Sequence, residues 1–165
     1  MDFDFGSELF EYCIENSIGE HSFENGSIYY DIHINEISKL NSFANIGSCF
    51  KGGLIIGNLH SSGGIQIFQP ISNEKIRHVG ELEGREYVTS PNTTRNHAKE
   101  LENINNDIKL SNPKTDTSFN IPSKCKVIDL RGAKHQIIVL TALNHFIINR
   151  AATKKHIKKI IELDL

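Results

Sequence analysis

Asn25-Gly26 separates two β-forming runs, residues 21–24 and 27–34. Both central positions of a type I′ turn need positive φ, which Asn and Gly tolerate, so the dipeptide predicts a tight hairpin. Strand alternation then turns Ile28, Tyr30, Ile32 and Ile34 toward a core and Tyr29, Asp31 and His33 outward. Glycine punctuates the chain again at Lys51-Gly52-Gly53, Ser61-Ser62-Gly63-Gly64 and Glu83-Gly84. The runs between these turns, 42–49, 54–60, 65–68, 75–79 and 85–89, read as short strands of an antiparallel meander.

Helical periodicity occupies the two ends. Ser7 is the expected cap of a helix over 7–18, with Leu9, Phe10, Cys13, Ile14 and Ile18 on one face. Asn92 or Thr93 caps a second over 92–110, whose buried stripe is Ala98, Leu101, Ile104 and Ile108. Residues 111–123 read as an irregular loop and 126–130 as a strand. The apolar run in 134–149 predicts a helix buried on most sides, and Thr153 caps a last amphipathic helix ending near Glu162. The class is therefore α+β: one domain over 1–165, a central mainly antiparallel sheet, and an N-terminal helix and C-terminal helices packed on it.

Composition narrows the function classes. Charge is close to balanced, at −2, which makes nucleic acid an unlikely partner, and no apolar run is long enough to span a bilayer. Cys13, Cys49 and Cys125 form neither a disulfide framework nor a zinc pattern, so no metal and no cofactor is expected and a reducing cytoplasm is the natural setting. The acidic start lacks a Sec-type leader; export by another route is left open.

Nucleophilic chemistry points to one place. Cys49 ends the run Asn45-Ile46-Gly47-Ser48-Cys49, and His60 closes the apolar run that follows Gly53. If 43–49 and 54–59 pair as a hairpin, the imidazole returns beside the thiol and can make it a thiolate. The amides of Cys49 or Phe50 would then receive the oxyanion, and Ser48, Asn58 or Ser61 would orient the ring. The pairing depends on register, because one residue of slip reverses the face.

Gly47-Ser48-Cys49 with a histidine one strand later resembles the thiol glutamine deamidases, a group that includes the chemotaxis receptor deamidase (CheD) and the catalytic domain of cytotoxic necrotizing factor. The resemblance covers residues 45–64. It implies a protein glutamine deamidase with Cys49 as nucleophile, His60 as its base, and a glutamine-bearing protein as substrate. The family's third polar residue has no counterpart that the sequence identifies.

A second reading needs no thiol. Residues 1–36 carry nine carboxylates and no Lys or Arg. That surface suits an immunity protein that neutralises a basic toxin, with Glu20, Glu24 and Asp31 supplying charge and Tyr29 the aromatic anchor.

Overall fold

The computed structural model describes residues 5–49, 51–107 and 120–164, without the side chains of 5–7. The Asn25-Gly26 hairpin forms as the sequence requires. Strands β1 (Glu20–Glu24) and β2 (Ser27–His33) pair with Glu24 opposite Ser27, and the turn residues have φ of 52° and 81°. Further strands are β3 (Ala44–Cys49), β4 (Gly53–Ile56), β5 (Ile65–Pro70), β6 (Lys75–Leu82), β7 (Tyr87–Val88), β8 (Val127–Asp129), β9 (His135–Leu140) and β10 (Ile147–Ile148). They make two mixed sheets, ordered β1-β2-β6-β5-β9-β3 and β10-β7-β4-β8. Pairing is antiparallel except for β3 with β9, β5 with β9, and β4 with β8.

Three apolar clusters stack the layers. Leu9, Cys13 and Ile18 pack on Tyr30, Ile32, Phe68, Ile76 and Ile137, so helix α1 (Phe5–Glu15) and the turn after it cover one face of the larger sheet. Ile55 and Val88 of the smaller sheet meet Ile65, Ile67, Ile138 and Leu140 on the other face. Leu101 and Ile104 of α2 (Pro91–Asn106) and Ile157, Ile160 and Ile161 of α3 (Arg150–Leu163) close over Leu54, Tyr87 and Ile148. The result is a helix–sheet–sheet–helix sandwich. The cluster between the sheets takes nothing from β1 or β2. These two strands and the near part of β6 extend beyond the smaller sheet as a wing.

Several expectations are corrected. Residues 134–149 hold no helix: β9 and β10 lie there, joined by an irregular, bent segment. Ile137 faces α1 and Ile138 faces the second sheet, so both sides of β9 are buried and its apolar run loses the alternation of a strand. The hairpin of 42–49 with 54–60 is not made either, because β3 pairs with β9 while β4 joins β7 and β8 in the other sheet. Glycine makes that crossing possible. At Gly52 (φ 77°) a Cβ would stand 2.7 Å from the Val88 carbonyl oxygen.

Smaller shifts have local causes. On β2, Asp31 is buried while Ile28 and Ile34 are exposed, the reverse of the expected faces at those positions. Ile28 sits at the hairpin tip, and Ile34 has left the strand for a 3-10 turn (Ile34–Leu40). On α1, Ile14 is exposed. Ser90, not Asn92 or Thr93, caps α2, accepting the Thr93 N–H at 3.2 Å, and Ala98 faces solvent. Asn149 caps α3, accepting the Ala152 N–H at 2.8 Å, and Thr153 is buried inside that helix. Ile108 and most of the expected loop 111–123 lie outside the described residues.

Candidate functional site

Cys49 ends β3 fully buried among Ile55, Leu82, Val88, Leu130 and Leu140. Burial pushes its thiol up to about 11, against the pull of a bond from the Gly52 N–H. The Cys49 carbonyl oxygen accepts the Thr141 hydroxyl at 3.0 Å. Burial outweighs that pull, so the setting disfavours a thiolate.

The structure gives His60 a different partner. It opens a short 3-10 turn (His60–Ser62) after β4, and its Nδ1 lies 2.6 Å from Glu81 Oε1 on β6. The His60 N–H donates to Glu83 Oε2 at 3.1 Å. Partial burial depresses the imidazole pKa, but the Glu81 bond and the nearby Glu83 and Glu86 outweigh it and raise it overall. The bonds continue inward. Gln66 Nε2 donates to Glu81 Oε2 at 3.3 Å, and Gln66 Oε1 meets His78 Nε2 at 2.7 Å.

The other residues assigned to the thiol site are spread out. Asn58 braces β9 instead of the ring, donating Nδ2 to the Lys134 carbonyl oxygen at 2.8 Å and its N–H to Gln136 Oε1 at 2.7 Å. Ser48 and Ser61 are exposed, and Phe50 lies outside the described residues. Without the β3–β4 hairpin, no strand pairing carries His60 back to Cys49.

The wing has denser polar geometry. Asp31 accepts Arg77 Nε at 2.7 Å and Nη2 at 3.1 Å, with the Ser22 hydroxyl at 2.5 Å. Burial alone would raise its pKa, and the bonds from Arg77 and Ser22 lower it. Arg77 also reaches Glu24 at 2.7 Å and lies 4.2 Å over the Tyr29 ring; Lys75 reaches Glu20 at 3.1 Å. Of the residues assigned to an acidic face, Glu20 and Glu24 are therefore exposed but paired. Tyr29 is half-buried under a guanidinium, and Asp31 is withdrawn inside. A cavity of about 170 Å³ opens beside them, lined by Ser17, Gly19, Glu20, Asp31, His33, Glu36 and Lys75.

Two residues that the sequence does not mark as a binding surface dominate the wing tip. Phe23 is 74% exposed and Ile28, directly opposite it across the hairpin, is 71% exposed. Alternation assigns Ile28 to the core because sequence does not show where a covering helix stops. Lys75 and Arg77 escape a sequence reading because their partners lie more than forty residues away. Among the described residues no helix is long and apolar enough to cross a membrane, and no three His, Cys, Asp or Glu side chains converge to hold a metal ion. Comparison with known proteins finds no matching family model, curated protein or solved structure.

Proposed function

We propose that this chain is a protein-binding module that docks through the β1–β2 hairpin, and that its partner is a basic protein of the toxin class. The observation that carries this reading is the exposed Phe23–Ile28 pair, on a strand whose opposite face carries the exposed Glu20 and Glu24 carboxylates. Burying one such side chain on a partner is worth roughly 1.5–3 kcal/mol, and an aromatic residue at the centre of a contact is a common energetic anchor. The carboxylates on the other face of the strand favour a basic partner and speed encounter. The anchor thus moves from Tyr29, which Arg77 covers, to Phe23. The thiol reading has no comparable support, since a nucleophile at Cys49 would have to ionise in an apolar core.

The test is capture from the native host with the wild-type chain and with a Phe23→Ser/Ile28→Ser double variant. One dominant basic protein should be retained by the wild type, released by salt, and lost by the variant, while the variant keeps its Tm. Recovery of no basic protein, or equal recovery by both chains, removes the reading.

A further inference from the structure

We infer that the outer edge of β1 accepts an added strand, and that the strand it fits is an extended segment alternating basic and apolar side chains. The inference rests on the binding reading above and specifies how its partner is held.

β1 is the terminal strand of its sheet, with β2 on one side and no strand on the other among the described residues. Glu24 and Ser27 close a two-residue turn, which makes them a hydrogen-bonded pair. By antiparallel alternation Ser22 and Glu20 also turn their backbone groups toward β2, whereas His21 and Phe23 turn theirs outward. Among the described residues, two N–H and two C=O groups therefore stand open along a five-residue edge. Such edges are usually blunted by charged side chains, proline or a bulge; β1 has no proline and no bulge, and its only charges are the Glu20 and Glu24 carboxylates, which select for a basic strand.

The two sides of β1 determine what can join it. Glu20, Ser22 and Glu24 point to one face, and His21 and Phe23 to the other. One oxygen of Glu20 binds Lys75 and one of Glu24 binds Arg77; the second oxygen of each has no partner among the described residues, and the two side chains are 65% and 57% exposed. A Lys or Arg across from either Glu takes that second oxygen. On the opposite face an apolar side chain beside Phe23 covers its ring and reaches toward Ile28. A second copy of this chain fits poorly. With all five residues overlapped antiparallel, Glu20 of each copy would face Glu24 of the other, placing like charges directly opposite.

The probe is a nine-residue peptide of alternating lysine and valine, compared with one of alternating glutamate and valine, at low salt. With the lysine peptide, the amides of His21 and Phe23 should exchange at least about fivefold more slowly. The glutamate peptide should leave them unchanged. His21→Pro removes one outward N–H without touching the β2 ladder and should abolish binding of the labelled lysine peptide. His21→Ala removes the ring but keeps the N–H, and should bind like the wild type.

Unchanged exchange, equal protection by both peptides, or equal binding by His21→Pro and His21→Ala would overturn the inference. So would a dimer of the chain alone in which these two amides are already slow. If the host partner is lost by the Phe23→Ser/Ile28→Ser variant but kept by His21→Pro, the hairpin docks by side chains and the strand-addition inference alone fails. If the peptide binds as expected but that variant keeps the host partner, the docking reading alone fails.

Discussion

Arg77 on β6 sits directly opposite Asp31 on β2 and grips both oxygens of its carboxylate, Nε to Oδ1 at 2.7 Å and Nη2 to Oδ2 at 3.1 Å. The pair holds the wing together at its root, where the smaller sheet no longer supports the larger one. Removing either partner leaves the other short of bonds in a partly dry site.

Arg77→Leu should therefore lower Tm by about 10 °C, because it strands the buried Asp31 carboxylate. Thermal unfolding followed by circular dichroism measures it. A fall of only a degree or two would mean that water reaches Asp31 freely.

Acid should act through the same carboxylate. The folded pKa of Asp31 is depressed, so its contribution is fully present above the unfolded value near 3.9 and is lost as pH falls through the lower folded value. Tm of the wild type should fall more steeply between about pH 4 and 2 than that of Asp31→Asn. The variant should be the less stable at pH 7, with the two curves converging in acid. Parallel curves would show that Asp31 titrates normally.

Thiol reactivity should follow burial. Cys13 and Cys49 are both fully buried, with thiols pushed up to about 11, while Cys125 is half-buried. Iodoacetamide at pH 7 should label Cys125 first, and the other two only as fast as the protein opens. Mass spectrometry of timed samples reads the order. Fast labelling at Cys49 would reverse it and return the thiol reading to the front.

Asp164 ties the end of α3 into the core. Its buried carboxylate accepts the Tyr87 hydroxyl at 2.8 Å and the Ser90 N–H at 3.0 Å, and pairs with Lys126 at 3.0 Å. Asp164→Ala would leave all three without that partner and should cost roughly 3–5 kcal/mol in urea unfolding. Asp164→Asn keeps an acceptor and should cost less. A negligible change in Asp164→Ala would show that these contacts add nothing to stability.

Legibility in the sequence follows the range of the interaction. The Asn25-Gly26 hairpin is a local event, and its turn and register match expectation. Periodicity locates helices α1, α2 and α3, although Ser90 and Asn149 take the capping places expected of their neighbours. Residues 135–140 mislead because a strand buried on both faces and a buried helix look alike over a short apolar run. His135-Gln136-Ile137-Ile138-Val139-Leu140 carries three β-branched residues, the local signal that favours a strand.

The expected site depends on a non-local choice. Whether β4 folds back on β3 or crosses to another sheet is decided by β9 and β8, which arrive some eighty residues later and claim the free edges. His60 likewise finds Glu81 only once β6 has been laid beside β5. The exposed Phe23–Ile28 pair can be read as a strand pair, but its exposure depends on where α1 ends.

The chain visits its two sheets alternately: β3 belongs to the larger, β4 to the smaller, β5 and β6 to the larger, β7 and β8 to the smaller, β9 to the larger and β10 to the smaller. No cut in the chain separates one complete sheet from the other, so neither can melt or assemble as an independent unit. Parallel partners such as Ala44 and His135 must find each other across a long stretch of intervening chain, which slows folding. The β1–β2 hairpin closes on adjacent residues and stands outside that weave. Its tip can therefore change sequence while the interlocked body keeps its shape.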